Sequence, residues 1–516
     1  MTGQRWQPRP RRTAFVDMTT GKARADNGAH FTIPAQAGGG CLVHGPTGLL
    51  ETMPKGAERV YLVNVPEAWW LISAQLAPGA PWVVAKRGHH VDPNTPVLRF
   101  RHTLDERDVE LRDVEEWFGP LTSVDTAHDA WRLLAARLSR MGNAPLLAGP
   151  STTGRQMLEA GGTLGDPLES DLARLCRQGV QAGRVELRAA ASDKARVQQL
   201  AHVDARVAYG ALAQRGLGVG PATHDELNEA PPCVCAGATH AGEPWTCPGI
   251  RARVRVLATV PDTWEHVGLL GVAGTPAEYP DTPGRSFEAW ADAAEVALAV
   301  AHGWQVQVRE RLIFTKGAPL DAWAKRLERG WQGLAPEQNR DVDPAVLQAV
   351  RWALRAVVLK TVGALAQTSY SATRVYADAR DVPDGTTTFH QGPGGAIVTT
   401  EQHELTRAGY PELTAQLWAR GRVRLLDAPT ATKGQRAGAL HVPARAVVAM
   451  NTDALYLDGD PRWADDGAWG RYRLKGLIAK PRTWPGSAKR LWQLRDEAAR
   501  ELAGTLSRAE GDPTHG

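Results

Sequence analysis

Two aspartates stand where a carboxylate could meet a metal ion. Asp204 closes the apolar run Leu200-Ala-His-Val-Asp204, and a helical pattern starts directly after it in Ala205-Arg-Val-Ala-Tyr209. Asp453 lies at the tip of Val447-Val-Ala-Met-Asn451-Thr-Asp453-Ala-Leu-Tyr-Leu457, which reads as strand, tight turn and returning strand. Phoshoryl transfer assisted by metal needs carboxylates from separate strands at one point, with ions roughly 4 Å apart on the attacking and leaving oxygens. Mg²⁺ suits so sparse a site, because water and substrate phosphates complete its shell. Taken singly, an aspartate at a strand end is usually a turn or cap residue, so spacing alone decides nothing.

Two further groups could carry chemistry. Cys233, Cys235, His240 and Cys247 cluster in a Pro/Gly-rich stretch and could hold one structural Zn²⁺, which takes four N/S ligands in a tetrahedron. The Cys-x-Cys spacing is tighter than usual for such sites. From Gly467 to Arg495 there are eight Lys/Arg and no Asp or Glu, interleaved with Trp469, Tyr472, Trp484 and Trp492. Cations neutralise phosphates and aromatics can pack on sugars or bases; a solvated basic face explains the same residues.

The elements that must position these groups follow from the pattern. A chain of 516 residues with 43% hydrophobic content suggests several globular units. No apolar stretch is long enough for a membrane span, and the basic start Met1–Arg12 lacks the apolar core of a secretory signal. Five cysteines make no disulfide framework, so a cytoplasmic setting is expected. A net charge of +4 permits a nucleic-acid partner without requiring one. Strands are expected at Thr13–Asp17, Val60–Asn64, Ala444–Met450 and Ala454–Leu457. Helices are expected at Ala127–Arg140 and over 340–370, starting at Asp343 or Pro344. Leu147–Thr153, Gly218–Gly249 and Asp384–Gly395 read as loops or irregular segments, and Ser507–Gly516 as a disordered tail.

Order and context then point to one family. The chain resembles family B DNA polymerases, above all the compact protein-primed branch of phages and mobile elements. Asp204-Ala-Arg-Val-Ala-Tyr209 is similar to the first palm motif, Asp-x-x-Ser-Leu-Tyr-Pro, and Gly183-Arg184-Val-Glu-Leu-Arg to the strand before it. Asn451-Thr-Asp453 resembles the third palm motif, Asp-Thr-Asp. Arg355-Ala-Val-Val-Leu359-Lys-Thr-Val362-Gly363 resembles the fingers motif, Lys-x3-Asn-x2-Tyr-Gly. Leu474-Lys475-Gly-Leu-Ile-Ala-Lys480 resembles the lysine-bearing strand that contacts the primer terminus. The resemblance implies metal ligands at Asp204 and Asp453, with Asn451 a further one it could supply, and Mg²⁺ or Mn²⁺ as the ion. It implies a triphosphate grip at Arg355 assisted by Arg351, a base-pair approach at Gly363, a steric gate at Tyr209, and DNA contacts at Lys475 or Lys480. Primer-template DNA, deoxynucleoside triphosphates and a priming protein are the partners it implies.

The sequence departs from the family at telling places. Asn451 replaces an acid, Leu359 and Val362 replace the fingers Asn and Tyr, and Val207 replaces the palm serine. Phe15-Val-Asp17-Met-Thr19, Val60–Ala68 and Asp125–Asp129 resemble the proofreading exonuclease motifs. Thr19 and Ala68 stand for lost acids, while Asp17 and Asp129 remain.

The resemblance implies a mixed α/β right-hand polymerase (palm, fingers, thumb) behind an RNase H-like exonuclease-type domain. The expected boundaries are 1–150 for the degenerate exonuclease and 151–340 for the first palm part with the Cys-rich insertion. Fingers follow at 341–375, an insertion with the second palm part at 376–465, and thumb and tail at 466–516. Template-directed DNA synthesis without proofreading is the expected function. The alternatives are an inactive polymerase-like DNA-binding protein of a mobile element, and a zinc-stabilised nucleic-acid-binding protein of another fold.

Overall fold

A computed structural model describes residues 11–33, 46–53, 56–65, 81–84, 97–142, 145–178, 181, 183–190, 192, 195–226, 233–235, 238–240, 251–275, 278–367, 369–376, 380, 382, 389–391, 397–404 and 409–511. The chain divides into two compact units, Met1–Gly161 with Arg326–Ala408, and Gly162–Lys325 with Gly409–Gly516.

The first unit holds a seven-stranded mixed sheet in the order His30–Thr32, Lys22–Ala25, Thr13–Asp17, Arg59–Val63, Asp108–Asp113, Val97–His102, Trp82–Val84. Thr13–Asp17 and Asp108–Asp113 run parallel to Arg59–Val63 between them, and the outer strands pair antiparallel. Thr13–Asp17 and Arg59–Val63 are buried at every position, as expected of parallel strands covered on both faces. Helix Val124–Arg140 starts three residues before the expected Ala127, because the Ser123 side chain accepts the Thr126 amide and caps it. Its Trp131 packs against Phe15 and Tyr61 of the two central strands.

Burial would raise the Glu110 carboxyl in this sheet. Arg112, Arg59 and Arg99 overcome that and hold it far below the usual range. Helix Pro344–Leu365, capped by Asp343, belongs to this unit and packs on Pro150–Gly161. Gly154 permits the close approach, because a Cβ there would collide with Thr361.

The second unit is built on two antiparallel sheets. The five-stranded one runs Tyr472–Ile478, Leu200–Ala205, Ala454–Asp458, Val447–Asn451, Val185–Leu187. The four-stranded one runs Leu217–Glu226, Gln305–Gly317, Arg251–Thr259, Ser286–Asp292. Val203, Leu455 and Leu474 of the first share a core with Val254, Val256 and Ala289 of the second and with Leu425 of helix Pro411–Leu426. That helix is secured by Arg422, whose guanidinium donates to both carboxylate oxygens of the buried Glu295 at 2.8 and 3.1 Å.

Several local expectations change. Leu217–Glu226 is a strand, although its Gly and Pro residues read as irregular; the pairing shifts between Val219 and Ala222, around Pro221, which has no amide to donate. Cys233–Cys235 and Ala238–His240 form a two-stranded ladder in the same stretch, and 241–250 lie outside the described residues. Pro150 opens a helix inside the expected loop, where a proline suits the first turn. Ala444–Ala446 is a 3₁₀ turn and the strand begins at Val447. Phe389–Gln391 is a strand within the expected Gly-rich loop. Helix Ala488–Gly511 takes in the first part of the expected disordered tail. No helix among the described residues is long and apolar enough to cross a membrane.

Candidate active site

Asp204 stands in the Leu200–Ala205 strand opposite Ala454 on one side and Arg473 on the other. Strand alternation puts Leu200, His202 and Asp204 on one face of the sheet. Val203 and Ala205 enter the large core on the other. The turn that carries Asp453 closes on the pair Asn451 and Ala454. Thr452 takes φ +61°, a left-handed conformation uncommon outside glycine. Two contacts hold it there: its amide donates to the Arg184 carbonyl at 2.6 Å, and Gly183 packs against it so closely that a Cβ would lie 2.6 Å from Thr452 Cγ2. The Ala205 amide donates to the Asp453 carbonyl at 2.9 Å, so the backbone joins the two acidic positions directly.

Four residues gather around these acids. Lys475 Nζ lies 3.0 Å from Asp204 Oδ2, and Arg473 Nη2 lies 3.8 Å from the same oxygen. Lys475 reaches it from a bulge: His202 pairs with Gly476 and Val203 with Leu474, which leaves Lys475 without a partner position. Asn451 Oδ1 accepts the Thr452 hydroxyl at 3.2 Å. His202 stacks on Tyr456 with centroids 4.7 Å apart; burial, then the charge of Lys475, lowers its imidazole to about 4. This neutral ring beside Asp204 escaped the sequence reading, although the i, i+2 spacing places it on the same face.

Tyr209 is reached through Val207, a β-branched residue held at φ +43°, where such a residue is a steric outlier. The phenol is buried and pushed upward, first by burial and then by the Asp453 charge. Its hydroxyl finds no hydrogen-bond partner among the described residues, and the ring packs against Gly421. Asp204, Asp453, Asn451, Lys475 and Tyr209 therefore belong to one cluster. Lys480 stands exposed beyond the end of its strand.

The other expected residues stand elsewhere. Arg351, Arg355 and Gly363 lie on helix Pro344–Leu365 of the first unit. Arg351 stacks over Trp331 at 3.9 Å, Arg355 lies 5.8 Å from the half-exposed Trp352 ring, and a Cβ at Gly363 would meet open space. Asp17 accepts from the Thr19 amide, the Thr20 hydroxyl and Asn64 at 2.8, 2.7 and 3.1 Å. Burial would raise it, but these bonds lower it. Asp129 is bound by Arg24 at 3.2 Å and by His128 at 2.9 Å. Ala68 and Cys247 lie outside the described residues. In the basic tract, Trp469 and Tyr472 are core residues and Trp484 is partly buried, donating to the Arg188 carbonyl at 2.9 Å. Of the four aromatics only Trp492 is exposed, because the tract folds as a strand and a helix that each bury one face.

The donor set can be tested against the ions that the sequence resemblance implies. Two carboxylates on adjacent strands suit a divalent cation with water in the rest of its shell. The third position offers an amide, and one carboxylate already faces two cations. Among the described residues no group of three or more His, Cys, Asp or Glu converges. Two carboxylates and one amide oxygen are the donors that this arrangement offers a divalent cation.

No protein-family model matches this chain, and no curated protein matches it. Solved structures do. Phi29 DNA polymerase complexed with primer-template DNA matches with a TM-score of 0.56 at 11% identity, covering 92% of this chain and 85% of that one. The same polymerase complexed with single-stranded DNA gives 0.55 at 10% identity, with 92% and 85% covered. Its ternary complex with primer-template and incoming nucleotide gives 0.52 at 10%, with 91% and 86% covered. Over nearly its whole length, this chain has a fold like that of phi29 DNA polymerase.

Proposed function

We propose that this protein is a template-directed DNA polymerase whose nucleotidyl transfer takes place at Asp204 and Asp453. The carrying observation is the junction of the two acids on adjacent strands, tied by the Ala205–Asp453 bond, within a fold like that of a polymerase solved with primer-template and nucleotide. In this reading the second unit supplies palm and thumb, and helix Pro344–Leu365 supplies the fingers. Primer-template DNA and deoxynucleoside triphosphates are the substrates, with a priming protein as a further partner.

Asp204 and Asp453 would hold Mg²⁺ or Mn²⁺, which supplies charge stabilisation on the transferred phosphoryl group and a more acidic primer hydroxyl. Asn451 is oriented by the Thr452 hydroxyl, which donates to its Oδ1. Arg355 grips the triphosphate by charge and forked hydrogen bonds, assisted by Arg351. The Tyr209 ring blocks a 2′-hydroxyl, and Lys475 and Lys480 engage the primer backbone. Asp17 and Asp129 are remnants of an exonuclease that serves here as scaffold, since their oxygens are bound by Thr, Asn, Arg and His.

Primer extension by the purified protein with Mg²⁺ or Mn²⁺ tests the reading. Extension that survives Asp453→Ala would sink the site assignment. A second reading, a DNA-binding relative without catalysis, is favoured by Asn451 and by the Lys475–Asp204 contact. It expects salt-sensitive DNA affinity and no extension with either metal. The expectation of another fold stabilised by zinc gives way to the fold likeness.

A further inference from the structure

We propose that Lys475 is a resident cation of this palm, so that Asp204 and Asp453 hold a single divalent ion instead of a pair. The inference rests on the polymerase reading of the site and concerns how many ions it takes.

The position of Lys475 is built into the backbone. In the pairing of Tyr472–Ile478 with Leu200–Ala205 the register slips by one residue, and the extra residue is Lys475. A bulge re-aims a side chain that regular pairing would place elsewhere. Here it brings the ammonium within 3.0 Å of an Asp204 oxygen. The neighbours fix it further. Gly476 follows, and a Cβ there would lie 2.8 Å from Ala498 on helix Ala488–Gly511, so that helix presses on the strand at the bulge. Leu491, Leu494 and Ala498 pack that helix onto Leu200, Tyr456 and Ile478.

Charge leads to the same conclusion. The site offers two carboxylates, since Asn451 brings an amide where the resembled motif has an acid. Lys475 and Arg473 both face Asp204, whose side chain is 6% exposed. Asp204 therefore already carries two cations of this chain. Adding one divalent ion next to Asp453 is tolerable with water in its shell. A second ion would meet the ammonium at contact range with little water between, and the repulsion of a divalent ion is twice that of a unit charge. Lys475 thus takes the electrostatic place of the second ion. Its own side chain is 37% exposed, so its ammonium is open to a primer phosphate on the solvent side.

Mn²⁺ titration followed by electron paramagnetic resonance tests this, in parallel without nucleotide and with a non-hydrolysable deoxynucleoside triphosphate, whose phosphates would complete the shell of a second ion. The wild type is expected to bind one Mn²⁺ without spin coupling, and Asp453→Asn to lose it. Lys475→Met should tighten binding roughly tenfold or more, while Lys475→Arg should resemble the wild type. Asn451→Asp should still hold one ion, and only the double variant Asn451→Asp with Lys475→Met should show two coupled ions. Two ions or none in the wild type overturns the proposal, as does unchanged affinity in a folded Lys475→Met. Should Lys475→Met fail to fold, Asn451→Asp decides: one ion supports the proposal and two overturn it. Primer extension is scored separately. One bound ion without extension would remove the polymerase reading and leave this inference standing, whereas extension with two coupled ions would do the reverse.

Discussion

The Ala205 amide donates to the Asp453 carbonyl across 2.9 Å, one residue beyond Asp204 on its strand. A backbone bond therefore sets the spacing of the two acidic positions, and whatever disturbs the Asn451–Ala454 turn disturbs both. The turn is held from its far side by Gly183 and Arg184, which precede the first strand of the site.

Gly183 is accordingly a sensitive position without any chemistry of its own. A Cβ there would lie 2.6 Å from Thr452 Cγ2 and 3.1 Å from Thr452 Cα, and the second contact is backbone that cannot swing away. Gly183→Val should cost about 1–3 kcal/mol by overpacking, read from denaturant unfolding. Its primer extension should fall further than its stability does, because the displaced residue sits next to Asp453.

Much of this site was legible in the sequence. The strands around Asp204 and Asp453 follow from apolar alternation and a turn, and their relation follows from motif order. The Lys475 bulge was not legible, because register depends on which strands become partners; the same segment read alone gives only a basic strand. The roles of the aromatics were hidden for a related reason. Trp469, Tyr472 and Trp492 have similar neighbours in sequence, but Trp469 rests on Gly210, Tyr472 faces the core, and Trp492 points to solvent. The strand Leu217–Glu226 was missed because Gly218, Gly220 and Pro221 weigh against a strand locally, whereas pairing along Gln305–Gly317 outweighs them.

Glu412 gives a pH prediction independent of the acids. It is 2% exposed in the first turn of helix Pro411–Leu426, and its Oε2 has no partner among the described residues. Burial pushes its carboxyl up to about 7 from an ordinary 4.5. A folded value above the unfolded one means that the stability is fully present below pH 4.5 and is lost as pH rises toward 7, up to about 3 kcal/mol. Glu412→Gln removes that loss. The variant should melt above the wild type at pH 8 and converge on it near pH 4, as followed by thermal unfolding across that range.

The Cys-rich ladder has its own test. Cys233 pairs in register with His240, and Cys235 follows two positions along the same strand. We propose that these residues, with Cys247, bind one structural Zn²⁺. Protein purified without added metal should contain close to one zinc per chain by elemental analysis. Cys235→Ser should lose most of it. A zinc content near zero in the wild type would end the idea without touching the palm assignment.

Tyr209 separates the two jobs of one side chain. Its hydroxyl is buried and unpartnered among the described residues, while its ring packs against Gly421. Removing an unsatisfied buried hydroxyl relieves a desolvation cost, so Tyr209→Phe should stabilise the fold by about 1 kcal/mol. If the ring excludes the 2′-hydroxyl by bulk, this variant should keep the preference for deoxynucleotides unchanged. Tyr209→Ala opens the space: stability should drop by about 3–5 kcal/mol through cavity formation, and ribonucleotide incorporation should rise relative to deoxynucleotide. Single-nucleotide extension with matched dNTP and rNTP pairs measures the ratio. An unchanged ratio in a folded Tyr209→Ala variant would show that sugar selection belongs to another residue, with Tyr209 serving only to seat helix Pro411–Leu426 on the palm.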